Sequence, residues 1–140
     1  MTQFFTSSPE ETEQLGYKIG KSLNKNKIIA LYGGLGMGKT ALTRGIVKGL
    51  DSQDDVSSPT FALVNEYKGR FNIYHFDMYR VNTWDDLYST GFFDYIGNGV
   101  LIIEWSENIE NALPPDAIKI YITRVSDNER AFESEGDLQL

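Results

Sequence analysis

There is no cysteine among the 140 residues, which excludes disulfide partners, thiol catalysis and cysteine-ligated zinc. No apolar run approaches the roughly 18 residues that a membrane-crossing helix needs. The N-terminus, Met1-Thr2-Gln3-Phe4-Phe5, lacks the basic start and long apolar stretch of a secretory leader. No internal repeat or low-complexity segment occurs. Nor is there a Lys/Arg run, and the formal net charge of −7 would repel a polyphosphate backbone at long range. Direct nucleic-acid binding is therefore not expected, whereas docking to a basic partner, or simple solubility, suits the charge. A soluble cytoplasmic protein that does not contact a membrane is the simplest expectation. Hydrophobic content of 41% and charged content of 24% are ordinary globular values, and residues 1–140 make one domain able to bury a core.

The chain is organised around residues 28–50. An apolar run without polar alternation, Ile28-Ile29-Ala30-Leu31-Tyr32, predicts a buried parallel strand. Gly33-Gly34-Leu35-Gly36-Met37-Gly38-Lys39-Thr40 follows and fits G-x-x-x-x-G-K-[ST], the P-loop. Leu42, Ile46 and Leu50, four apart, then mark a helix. Four glycines in six positions let the backbone from Gly34 through Leu35, Gly36 and Met37 to Gly38 turn its N–H groups toward one point. That makes an anion nest at the positive end of the following helix. Lys39 would reach the β- and γ-phosphates of a nucleotide, and the Thr40 hydroxyl would ligate Mg²⁺.

Upstream, Ser8-Pro9-Glu10-Glu11 reads as a helix start with a capping box. Leu15, Ile19 and Leu23 form its apolar stripe, flanked by Gly16 and Gly20, which would let it lie close to a neighbour. Val56-Ser57-Ser58-Pro59-Thr60-Phe61 sits where P-loop GTPases carry a nucleotide-sensing switch; from spacing alone, a proline turn entering a strand is equally compatible. Residues 61–67 and 71–77 are strand-like and joined by Lys68-Gly69-Arg70, so they predict a hairpin and hence a mixed sheet. Asp77 lies at the C-terminal end of its strand, where ligands of open α/β sheets collect. Two short helices are expected over 82–88 and 92–96. Val100-Leu101-Ile102-Ile103-Glu104 is four apolar residues and an acid, the Walker-B pattern whose carboxylate serves Mg²⁺ or its waters. Residues 106–110 start like a helix stopped by Pro114-Pro115, and 117–124 alternates as a strand that 130–134 can pair with. The expected fold is α/β, a P-loop NTPase-like three-layer arrangement on a mixed, mainly parallel central sheet.

At Ser58-Pro59-Thr60-Phe61, His75-Phe76-Asp77-Met78-Tyr79-Arg80 and Glu104-Trp105-Ser106-Glu107, together with Glu11-Thr12, the chain closely resembles the TsaE (YjeE) family of bacterial ATPases. The resemblance implies an ATPase that uses ATP and Mg²⁺ and acts with TsaB and TsaD in making threonylcarbamoyladenosine in tRNA, meeting tRNA only through that complex. It implies that Lys39, Asp77 and Glu104 are catalytic, that Thr40 and Glu104 hold the metal, and that Thr60 is a switch-like threonine. Trp105 matches the aromatic beside the Walker-B acid. Nucleotide-base contacts in the family come from the N-terminal segment and the C-terminal hairpin, which carries over to Thr12 and Arg130. Gly34 departs from the acid usual at that position. A small-molecule kinase shares the P-loop but usually closes an arginine-rich lid, and here five arginines are scattered. A GTPase would need a base-reading N-K-x-D, which is missing. A nucleotide-dependent binding module with negligible turnover uses many of the same residues as an ATPase and stays open.

Overall fold

The computed structural model describes residues 2–33, 38–57, 64–136 and 138. Strands buried on both faces carry continuous apolar runs, and two such runs, Ile28–Tyr32 (β2) and Val100–Glu104 (β5), pair in parallel at the centre of a seven-stranded sheet. The other strands are Thr2–Thr6 (β1), Val64–Lys68 (β3), Asn72–Asp77 (β4), Ile118–Arg124 (β6) and Arg130–Glu135 (β7), in the spatial order β1-β7-β6-β2-β5-β4-β3. The four middle strands, β6, β2, β5 and β4, run parallel. Antiparallel pairs extend both edges: the expected β3–β4 hairpin on one side, β6–β7 and then β1 on the other.

Helices cover both faces, which gives the expected three layers. Pro9–Ser22 (α1) and Lys39–Gly49 (α2) bury Leu15, Ile19, Leu42 and Ile46 against Ile29, Leu31 and Ile102. The opposite face packs Phe76, Leu101 and Ile103 against Leu87 and Phe92 of Trp84–Ser89 (α3) and Phe92–Tyr95 (α4), and against Ile109. Ile109 belongs to the 3₁₀ stretch Ser106–Ala112, which breaks its helical geometry at that residue, so the helix expected there is tighter and irregular.

α1 and α2 touch backbone to backbone. A Cβ on Gly16 would lie 2.3 Å from the Leu42 carbonyl oxygen, and one on Gly45 would lie 2.0 Å from that of Glu13. Glycine is required on both helices, though only Gly16 and Gly20 signal it in the α1 pattern. The contact holds α1 against the start of α2. Arg70 fastens the other end, donating to the carbonyls of Gly20 and Leu23 on α1 and of Gly49 on α2, where helix ends carry negative charge.

The start of α1 follows the expected chemistry with one shift. Ser8 accepts from the Glu11 N–H, but the Glu11 carboxylate accepts from Ser7 N–H rather than from the cap residue itself. β1 was not expected: its five residues are mostly exposed, and what orders them is pairing with β7, 130 positions away in sequence, with no local pattern to signal it. The 61–67 strand is observed as β3 from Val64, residues 61–63 lying outside those described.

Candidate nucleotide site

Strand alternation decides which side chains reach the α2 face. Ile73, His75 and Asp77 are two apart on β4, as are Val100, Ile102 and Glu104 on β5, so each set shares one face. The register pairs Asp77 with Glu104, which puts two carboxylates on adjacent strand tips. Gly38 adopts φ 94° at the head of α2, a left-handed conformation that favours glycine. Among the described residues no side chain caps that helix, which leaves its first N–H groups as a ready anion site.

A cavity of about 590 Å³ opens between these elements, within the range of small-molecule sites. Gly38, Lys39, Thr40, Asp77, Glu104 and Trp105 line its floor. Ser8 and Thr12 from the α1 start, and Asp127, Asn128 and Arg130 from the β6–β7 hairpin, line its walls. The structure thus brings together Lys39, Thr40, Asp77, Glu104, Gly38, Thr12 and Arg130 from among the sequence-derived candidates. Gly34, Leu35, Gly36, Met37 and Thr60 lie outside the described residues.

Lys39 is buried, and its Nζ has no hydrogen-bond partner among the described residues. It lies 4.3 Å from the centroid of the Trp105 ring, a cation–π contact that offsets only part of the cost of burying an ammonium. Trp105 adopts φ 60°, ψ 42°, a left-handed conformation that costs a bulky residue roughly 1–2 kcal/mol. Its ring also meets Tyr79, at 4.8 Å between centroids. β5 ends at Glu104, because the left-handed Trp105 turns the chain out of the sheet.

The two carboxylates are held differently. Asp77 Oδ1 accepts from the Tyr79 N–H at 2.9 Å, which fixes its rotamer and leaves the other side of the group to the cavity. Asn108 braces that turn through the Met78 carbonyl. Glu104 is buried, and its Oε2 lies 2.7 Å from His75 Nε2. Thr12 Oγ1 is 2.7 Å from Thr6 Oγ1, a single contact that leaves the hydroxyl further hydrogen-bonding capacity. Arg130 donates to the carbonyls of Ser126, Asp127 and Glu129, so its guanidinium is wrapped by its own hairpin beside the cavity.

His75 is the residue that motif reasoning passed over. The available signal was its place two residues before Asp77, on the same face of the same strand.

These features suit a nucleotide and its metal. A buried ammonium with no hydrogen-bond partner among the described residues, at the N-terminus of a helix, suits an anion with several oxygens, such as a phosphate chain. Among the described residues no group of three or more His, Cys, Asp or Glu side chains could hold a metal alone. Thr40 and Glu104, both in the cavity lining, could together hold a divalent ion whose remaining ligands come from phosphates and water.

The family model described as "Threonylcarbamoyl adenosine biosynthesis protein TsaE" matches residues 6–132. The tRNA threonylcarbamoyladenosine biosynthesis protein TsaE of Treponema pallidum (strain Nichols) is 34% identical over 124 residues, covering 88% of this chain and 92% of its own. The protein of the same name from Bacillus subtilis (strain 168) is 37% identical over 127 residues, covering 89% and 79%. Among solved structures, the crystal structure of Bacillus subtilis YdiB superposes with a TM-score of 0.73 at 32% identity, over 94% of this chain and 82% of that one.

Proposed function

We propose, on the premise that this chain belongs to the TsaE family and has its role in tRNA threonylcarbamoyladenosine biosynthesis, that it is a Mg²⁺-dependent ATPase of that process. The observation that carries the proposal is Lys39: a buried cation without a hydrogen-bond partner among the described residues, at the head of α2 and in one cavity with Asp77 and Glu104. Lys39 binds the β- and γ-phosphates, with the first N–H groups of α2 beside it. Thr40 and Glu104 hold the metal, and Mg²⁺ when bound neutralises charge on the phosphate oxygens. Asp77, with its rotamer fixed by the Tyr79 N–H, orients the attacking water. The α1 start and the β6–β7 hairpin wall the side of the cavity where the nucleoside fits.

The arginines speak against a kinase lid. Arg44 pairs with Glu13, Arg70 caps two helices, Arg124 pairs with Asp127 and Arg130 is wrapped in its hairpin. Of the five, Arg80 is the one for which no such contact is seen among the described residues. The cavity of about 590 Å³ is taken by the nucleotide, and the charge of −7 disfavours a direct phosphate-backbone contact. Docking to TsaB and TsaD, and tRNA met through them in the cytoplasm, is the arrangement that follows.

The test is ADP production by the protein alone, with small phosphate acceptors, and with TsaB and TsaD, run beside tRNA binding at near-physiological salt. Slow turnover alone that rises with the two partners supports the proposal. Sub-micromolar tRNA binding by the lone protein, acceptor phosphorylation, or turnover indifferent to the partners contradicts it.

A further inference from the structure

His75 is the single histidine of the chain, and it is fully buried. Both ring nitrogens are occupied. Nε2 donates to Glu104 Oε2 at 2.7 Å, since a carboxylate only accepts. Nδ1 lies 3.3 Å from the hydroxyl of Tyr67, itself buried on β3. That hydroxyl accepts from the Ser57 N–H at 3.2 Å, and its one hydrogen can go either to His75 Nδ1 or to the Ser57 carbonyl 3.1 Å away, which accepts from Asn65 Nδ2 at 2.9 Å. The contacts run without a gap from the carboxylate at the tip of β5, across β4 and β3, to the main chain at Ser57.

We propose that His75 is a positioning residue: it fixes the Glu104 carboxylate for the metal and, through Tyr67, ties that carboxylate to the main chain at Ser57. The physical reason is the cost of the alternatives. A buried carboxylate with no donor on it carries a full desolvation penalty, and with a free rotamer it would point at the metal only part of the time. One donor on Oε2 cancels much of that penalty and leaves Oε1 to face the cavity. Ligating carboxylates are commonly held this way, and loss of such a partner typically weakens metal binding or activity by about 10- to 100-fold. The second nitrogen explains why the group is a histidine: a simple donor would satisfy Glu104, but only a side chain with two polar ends also holds Tyr67. A displacement of Glu104 on metal binding is then felt at Ser57, and the reverse, because the same free energy couples both ends.

This inference rests on the Mg²⁺–ATP reading of the site. The experiment is a titration of Mg²⁺ at fixed ATP, read by calorimetry and by ADP formation, in wild type, His75→Leu, His75→Gln and Tyr67→Phe, with metal-free ATP affinity measured alongside. His75→Leu raises the Mg²⁺ half-saturation by about tenfold or more while metal-free ATP affinity stays within about twofold. His75→Gln, which keeps a donor toward Glu104, restores most of that loss. Tyr67→Phe moves the half-saturation the same way by a smaller factor and keeps the inference testable where the leucine variant does not fold. In ¹⁵N-labelled protein the lone imidazole gives one set of ring signals; addition of Mg²⁺–ATP shifts both nitrogens, and in Tyr67→Phe the Nδ1 response is lost. ATP binding with an unchanged Mg²⁺ dependence in the variants, or ring signals that Mg²⁺–ATP does not move, overturns the positioning role alone. No ATP binding by the wild type overturns the underlying reading, and the inference with it.

Discussion

The Lys39 ammonium lies against the face of the Trp105 ring, 4.3 Å from its centroid. A phosphate entering the cavity competes with the ring for that ammonium, so nucleotide binding changes the environment of the indole. The chain has two tryptophans, and Trp84 is exposed on α3, away from the cavity. In a Trp84→Phe background the remaining emission is expected to change on addition of ATP, and the change should vanish in Lys39→Ala. A response that persists without the Lys39 side chain assigns the phosphate contact elsewhere.

Glu104 and Asp77 are neighbours in register but held by different partners, and their losses should separate. Glu104→Gln is expected to raise the Mg²⁺ requirement. Asp77→Asn should keep nucleotide affinity and lower turnover by about 100-fold, within the usual range for loss of a group that positions or deprotonates a nucleophile. Steady-state ADP formation across a Mg²⁺ series checks both, and exchanged phenotypes would reverse the roles.

The glycine contact between α1 and α2 makes a stability prediction with a functional echo. A methyl at position 45 would lie 2.0 Å from the Glu13 carbonyl oxygen, an overlap the two backbones must separate to relieve. Gly45→Ala should cost about 1–3 kcal/mol in urea unfolding, the usual range for an overpacked interior. Because α2 begins at Lys39, the same variant should also bind ATP more weakly.

Glu110 joins the 3₁₀ stretch to the sheet by accepting from Lys119 and from the Tyr32 hydroxyl. Lys119 first, and then the Tyr32 hydroxyl, hold its carboxyl below the ordinary carboxylate range, against a smaller opposing effect of burial. A pKa lower in the folded state than in the unfolded one stabilises above the unfolded value and is lost as pH falls through the folded value. Glu110→Gln should therefore be less stable than wild type at pH 7, with the difference vanishing on acidification below the carboxylate range. The side chain is 43% exposed, so solvent screening keeps the difference to about 0–1 kcal/mol. Denaturation midpoints at the two pH values check it.

The strands and the helix that frame the candidate site were legible in the sequence because each carries a local chemical demand. Buried parallel strands need the apolar runs of β2 and β5, and the helix that follows β2 needs the apolar spacing of Leu42 and Ile46. The α1 cap was legible from Ser8 and Pro9 for the same reason. What stayed hidden depends on residues far apart in the chain. β1 exists through pairing with β7, Arg70 serves helix ends that lie 21 to 50 positions away, and the His75–Glu104 contact spans 29. The left-handed Trp105 was hidden too, because a bulky aromatic there runs against local preference and is held by its contacts with Lys39 and Tyr79.

The central claim is that Lys39 stands buried to receive the phosphates of ATP. Calorimetric titration of ATP, with and without Mg²⁺, into wild type and Lys39→Ala tests it most directly, with circular dichroism to establish that both are folded. One site is expected in the wild type, tightened by Mg²⁺, with a loss of at least tenfold in affinity in the variant, since a charge-assisted hydrogen bond contributes about 1.5–3 kcal/mol. Unchanged affinity in a folded Lys39→Ala protein would contradict it.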